Sequence, residues 1–268
     1  MGLSNGPLLN YHDAVIYESD WNLLKSSTEW LNDACIHFYL TWLNQQRKAK
    51  DTNHDDNGKI FSITCLDPCV VSYIMHQLSI DDEDEIQNLK KEWTCDNHNH
   101  FLCVPINDHH GASSWIQYDY AQGTHWSLLV VSIIASPLIQ NDDECKVYFY
   151  HLDSSSGMNR KASKMVARKL YDIICNKNGS ECNDMSDVVE CSNIPQQMNS
   201  YDCGIYTCAM ADGIMNYFDS TGKADTNIFK HQIEFAVDRY FQNEWSNHQQ
   251  MAKELRNKIC NLIAQLKK

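Results

Sequence analysis

Four residues stand in contexts that together could carry out acyl transfer. Cys203 closes the run Asn199-Ser200-Tyr201-Asp202 and is followed by Gly204, with the amide of Gln197 six residues upstream. His125 opens the apolar run Trp126-Ser127-Leu128-Leu129-Val130-Val131, and Asp153 ends another, Tyr148-Phe149-Tyr150-His151-Leu152. A thiol nucleophile, an imidazole base, a carboxylate to orient it and an amide to hold an oxyanion are the parts list of a thiol hydrolase.

Each residue also has a plainer reading. A buried structural cysteine is the commonest fate of an intracellular Cys. Against this, Cys203 falls at a loop-to-helix junction, with Asp202 as N-cap, where backbone amides and the helix dipole favour a thiolate. A lone His at a strand edge is usually solvated or satisfied within a core. His125 gains meaning from Asp153, 28 residues on, because neighbouring strands would let the carboxylate accept the Nδ1 proton and fix the tautomer. His151 is the nearest competitor as base, but it lacks a partner motif. Gln197 alone would be an ordinary loop amide.

These residues need elements to position them. Apolar positions at Trp30, Leu31, Ala34, Cys35, Phe38, Tyr39 and Trp42 predict a helix over residues 29 to about 46, capped by Ser27 or Thr28. Residues 48–59 are polar and read as an exposed loop. A second helix is expected over 67–78 with Pro68 in its first turn, and the acidic run 81–85 opens a third. Residues 101–107, 125–134 and 146–153 are short runs rich in Val, Ile, Leu, Phe and Tyr, as in buried strands. A helix over about 160–176, a strand near 188–191, a helix over 203–218 and one or two helices within 226–266 complete the chain. Helices around a central group of strands give an α+β fold.

Composition narrows the class. The chain has 268 residues, with 43% hydrophobic content, 5 prolines and 10 glycines; this suits an ordinary globular core, read as a single domain over 1–268. A formal net charge of -13 disfavours nucleic acid and anionic membrane surfaces as partners and suits a basic protein face. The twelve cysteines include no Cys-x-x-Cys, and no four Cys or His residues fall at structural-zinc spacing, so no metal is expected. The N-terminus lacks a signal-peptide pattern, and no run reaches the roughly 18 apolar residues of a membrane helix. Reduced thiols in the cytosol or nucleus are the expectation.

The segments Gly123-Thr124-His125-Trp126-Ser127-Leu128-Leu129, Asn199-Ser200-Tyr201-Asp202-Cys203-Gly204 and Trp30-Leu31-Asn32-Asp33 resemble the Ulp/sentrin-specific protease family, and within it the deneddylase branch. Papain-like enzymes place the cysteine first, whereas here the order is His, Asp, Gln, Cys. The resemblance implies a papain-like cysteine protease of the Ulp type, with a mostly buried sheet flanked by helices. It implies a protease or isopeptidase that cleaves after the C-terminal Gly-Gly of a ubiquitin-like modifier, without a cofactor. It favours the neddylation modifier over SUMO. By the same resemblance, Cys203, His125 and Asp153 are catalytic, and Gln197 rather than Gln196 is the oxyanion glutamine. Trp30 and Trp126 would wall a narrow tunnel that passes glycine and excludes any Cβ, and Asn32 and Asp33 would face the modifier. The stretch 108–123, carrying Trp115, Tyr118 and Tyr120, is longer than the family's loop over the tail. A SUMO-specific protease is the alternative within the family. Outside it stand an acetyltransferase, whose coenzyme A and polyphosphate pockets the net charge disfavours, and a catalytically silent modifier-binding module, although no active-site residue is missing.

Overall fold

A strand buried on both faces must be apolar at successive positions, and the middle of this chain is. In the computed structural model, which describes residues 6–51, 61–79, 81–93, 99–111, 123–134, 146–175, 185–221, 233, 237 and 247–267, those runs become one five-stranded sheet. Its strands are β3 (Phe61–Cys65), β4 (Asn99–Asn107), β5 (Trp126–Ile134), β6 (Lys146–Leu152) and β7 (Val188–Glu190), ordered β3-β4-β5-β6-β7. The central pairs β4/β5 and β5/β6 are antiparallel, while β3 and β7 pair in parallel at the two edges. A separate hairpin, β1 (Leu9–Tyr11) with β2 (Ala14–Ile16), precedes the first helix, α1 (Glu18–Lys25).

Alternation along the strands divides the interior into two apolar layers. Leu128 and Val130 of β5 face a layer with Ile36, Phe38 and Tyr39 of α2 (Asp33–Asp51) and Ile205, Tyr206 and Ile214 of α6 (Cys203–Thr221). Ile259 and Ile263 of the last helix, α7 (His248–Leu266), join them. Leu129, Val131 and Ile133 face the other layer. There lie Val71 and Ile74 of α3 (Pro68–His76), Ile86 and Leu89 of α4 (Glu83–Trp93), and Val166 and Leu170 of α5 (Arg160–Ile174). The α+β architecture with helices on both faces of a buried sheet is therefore as expected.

Several boundaries move for local reasons. The helix expected from residue 29 begins at Asp33, because Asn32 is its cap: Asn32 Oδ1 accepts the Cys35 amide at 3.1 Å. Trp30 and Leu31 thus precede the helix, and neither Ser27 nor Thr28 caps it. The second helix starts as predicted, with Pro68 in its first turn and the Asp67 carboxylate accepting the Cys69 amide at 2.8 Å. The polar stretch from 48 is helical to Asp51, and 52–60 lie outside the described residues. So do 112–122 of the long loop and most of 226–246. Strands β1, β2 and β3 and helix α1 have no counterpart in the sequence reading.

Candidate active site

The register of the central strands brings His125 and Asp153, the expected base and its carboxylate, together. Leu128 of β5 pairs with Leu152 of β6, so the residue entering β5 and the residue leaving β6 meet at one end of the sheet. His125 Nε2 meets Asp153 Oδ1 at 2.6 Å, with both side chains almost wholly buried. The ring nitrogen is the reverse of the one expected: Nε2, not Nδ1, faces the carboxylate. Cys203 adjoins the same ring, and its thiol acts with Asp153 to raise the pKa of the imidazole. Cys203 is the first residue of α6, which packs against β5, so its placement follows from the helix start. The thiol is 1% exposed.

The ion-pair partners hold each other's charge. Burial works against a charged imidazole, but the hydrogen bonds and charges of Asp153 and Cys203 outweigh it and raise the His125 pKa to about 9. Burial likewise works against the Asp153 carboxylate. Hydrogen bonds from His125, from the Asn159 amide at 3.1 Å and from the Ser155 amide at 2.9 Å overcome it and hold its pKa below the ordinary value.

Residues that no motif advertised hold this pair in place. Asp108, just after β4, accepts the Thr124 amide at 2.7 Å, the Thr124 hydroxyl at 2.6 Å and the His125 amide at 3.3 Å. Asn159 Nδ2 donates to the His125 carbonyl at 3.2 Å and to Ser127 Oγ at 3.0 Å. His151, the competing histidine, is fully buried between Ser127 Oγ and the Glu190 carboxylate, each at 2.9 Å, so both its ring nitrogens are engaged. Asp108 lies 17 residues from His125, and no local pattern ties the two.

The glutamines separate by their contacts. Gln196 Nε2 donates to the Asp153 carbonyl at 3.0 Å and its Oε1 accepts the Ser156 amide at 3.0 Å, an internal brace. Gln197 lines the cleft, with Oε1 fixed by the Ser154 hydroxyl at 2.7 Å and Nε2 donating to the Asn199 carbonyl at 2.6 Å. Asp202 accepts the Tyr206 amide through its carbonyl, as an N-cap residue does. Its carboxylate turns instead to Asn199 and to Arg256 of α7, each at 2.9 Å.

The cleft, about 570 Å³, is lined by Trp30, Thr124, His125, Ser155, Met158, Gln197, Met198, Asn199 and Ser200. Trp30, at 43% exposure, forms part of this wall, as do the exposed Met158 and Met198. Trp126 does not: it is buried, and its indole N–H donates to the Leu31 carbonyl at 3.1 Å. The two tryptophans are thereby tied through the backbone next to Trp30, but only Trp30 faces the open space. Asn32 is held at both ends, by the Asp20 carboxylate at 2.8 Å and by the Cys35 amide, so its job is to cap α2. Asp33 is exposed, and its oxygens meet the Ala34 amide and the Cys69 thiol.

A histidine paired with a buried carboxylate and adjoining a cysteine at a helix start is cysteine-protease geometry, and the comparisons with known proteins agree. The family model described as "Ulp1 protease family, C-terminal catalytic domain" matches residues 29–251. The chain belongs to the Ulp1 protease family. Among its relatives is the probable sentrin-specific protease 8 of Dictyostelium discoideum, 26% identical over 99% of this chain and 100% of that protein. The NEDD8-specific protease 1 of Arabidopsis thaliana is 27% identical over 97% of this chain and 93% of its own. The sentrin-specific protease 8 of Mus musculus is 30% identical over 77% of each chain. A solved structure titled as a de-sumoylating protease covers 98% of this chain and 93% of its own, with a TM-score of 0.54 at 14% identity, a likeness of fold. The resemblance read from the three motifs and the α+β Ulp-type fold therefore hold. Among the described residues, no group of His, Cys, Asp or Glu side chains is placed to hold a metal ion, and no helix is long and apolar enough to cross a membrane.

Proposed function

We propose that this Ulp1-family chain is a deneddylase, a cysteine protease that cleaves after the C-terminal Gly-Gly of the neddylation modifier. It would release the modifier from lysines and mature its precursor. The observation that carries the chemistry is the buried pair of Asp153 with the His125 ring at 2.6 Å, with Cys203 adjoining that ring at the start of α6. The Arabidopsis relative, named for the neddylation modifier and matched along nearly its whole length, supports the choice of modifier.

The tail enters past Trp30 and the Cys203 thiolate attacks the last glycine carbonyl. The raised pKa of His125 keeps it an imidazolium near neutral pH, which stabilises the thiolate and holds a proton ready for the leaving amine. The oxyanion rests on the Cys203 backbone N–H and the Gln197 amide. That role for Gln197 is supported by its place in the cleft wall and by the Ser154 hydroxyl, which fixes its carbonyl end and so the direction of its nitrogen. The Arg256 guanidinium pairs with the Asp202 carboxylate and offsets its charge beside the forming oxyanion. Water then hydrolyses the thioester with His125 as base. The partners are the modifier and its conjugates, no cofactor takes part, and the site of action is the cytoplasm or nucleus. Hydrolysis of a modifier–fluorophore substrate by wild type and by Cys203→Ala tests the chemistry. The variant should lose turnover and still bind the modifier; comparable turnover would remove Cys203 as the nucleophile.

A further inference from the structure

The last helix reaches into the site through one side chain. Arg256 of α7 is 5% exposed and donates four hydrogen bonds from its two terminal nitrogens. Nη1 bonds the Leu23 and Ser26 carbonyls, each at 3.0 Å. Nη2 bonds the Glu29 carbonyl at 3.1 Å and the Asp202 carboxylate at 2.9 Å. Leu23 lies in the last turn of α1, while Ser26 and Glu29 sit on the connection from α1 to α2, and Glu29 immediately precedes Trp30. The fourth immediately precedes Cys203. One guanidinium thus joins the wall of the cleft to the residue beside the nucleophile, 54 residues away in sequence from Asp202. Arg256 also lies beyond the segment 29–251 that the family model matches.

The two walls have little freedom to drift apart elsewhere. A Cβ on Gly204 would come within 3.0 Å of Leu31 Cβ, so the backbone after Cys203 already touches the segment that carries Trp30. The Trp126 indole holds the Leu31 carbonyl from the other side. Arg256 supplies the hydrogen bonds that set the height of this segment over the helix start, and only a planar fork with several donors can satisfy carbonyls and a carboxylate at once.

We infer that Arg256 is a positioning residue: it fixes the Trp30-bearing segment relative to Cys203, so that a tail in the cleft meets the thiol in attacking geometry. The inference rests on the modifier-protease reading. It predicts a specific split in kinetics. Affinity for a folded modifier comes from a broad surface outside the cleft, so misplacing the tail lowers kcat and spares KM. Intrinsic thiol reactivity depends on Cys203, His125 and Asp153, none of which Arg256 bonds, so it also survives.

The test uses the full chain with Arg256→Lys, which keeps a positive charge beside Asp202 but cannot hold all four acceptors. Circular dichroism first sets a temperature at which the variant is fully folded. There, kcat and KM are measured on a modifier–fluorophore substrate, together with the rate of Cys203 alkylation by iodoacetamide. The expected result is a fall of about 10²-fold in kcat, the scale of loss from a displacement near 1 Å, with KM and alkylation near wild type. Unchanged kcat in the folded variant overturns the inference, as does a kcat that falls only in step with alkylation. If Arg256→Lys does not fold, Asp202→Asn, which keeps the shape but removes the charge that Arg256 and Asn199 engage, is read by the same criteria. A wild type that alkylates normally yet cleaves no Gly-Gly modifier sinks the modifier-protease reading itself, and this inference with it.

Discussion

The charge state of one imidazole governs how this site responds to pH. His125 titrates near 9 in the folded chain against an ordinary value of 6.5. A folded pKa raised above the unfolded one means that the pair with Asp153 stabilises the fold fully below about pH 6.5, and that this stabilisation fades as pH rises through 9. Activity should share that upper edge, since the imidazolium both stabilises the thiolate and protonates the leaving amine. The descending limb of kcat/KM is expected near pH 9. Asp153→Asn removes the carboxylate that raises the value, so the limb should move to lower pH and kcat should fall by orders of magnitude; a pH–rate profile checks both. Gln197→Ala should cost about 10²–10³ in kcat, because the Cys203 amide still serves the oxyanion. Full activity in that variant would show that the glutamine has another job. At this scale the sequence singled out Cys203, His125, Asp153 and Gln197, because each sits in a short motif beside an apolar run or a helix start, and the structure places His125 and Asp153 in contact. The capping contacts of Asn32, a residue its motif marked for contact with a modifier, were not legible. The caps of α2 depend on where the chain turns, and that is decided by Asp20, twelve residues earlier.

Elements decide how well those residues are aimed. Strands β4, β5 and β6 were visible as apolar runs because both faces of the sheet are covered, and α3 was visible through Pro68 and Asp67. Strand β3 was missed: Phe61-Ser62-Ile63-Thr64-Cys65 alternates, but it follows a polar stretch and pairs only at an edge. The short hairpin β1/β2 offers three residues a strand, too few for periodicity to register. The turn into β5 shows what element geometry demands. A Cβ on Gly123 would overlap the Asn107 side chain and crowd Asp108. Asn107 Oδ1 holds His109 Nδ1 at 2.6 Å and Asp108 holds the Thr124 and His125 amides, so neither can give way freely. Gly123→Ala should therefore lower kcat by displacing His125, with a smaller effect on thermal stability; wild-type kinetics would show that the turn absorbs the methyl. Asn32→Ala, by contrast, should lose about 1 kcal/mol of stability, as for a lost N-cap, read in a denaturant titration. Its kcat should stay near wild type.

For the molecule as a whole, the two apolar layers around the sheet support a cleft whose exposed wall includes Trp30, while Trp126 is part of the packed interior. Under the proposed function, selectivity for a glycine at the penultimate position would rest on Trp30, which lines the cleft. Gly-Gly tails should be cleaved and Ala-Gly tails nearly inert, and Trp30→Ala should narrow that gap, whereas Trp126→Ala should chiefly reduce stability through a lost buried indole. The ratio of kcat/KM on the two tails is the readout. No reading of the sequence could have parted the tryptophans, because burial depends on how the segment 29–32 folds over β5. The central claim is a thiol hydrolase at Cys203 selective for the neddylation modifier. Its most direct test is a panel of C-terminal electrophilic probes built on the neddylation modifier, SUMO and ubiquitin, with the adduct mapped by mass spectrometry. The account predicts that the neddylation probe reacts fastest and forms one adduct, on Cys203. Faster reaction with the SUMO probe would contradict the modifier assignment, and an adduct on any other cysteine would contradict the active site.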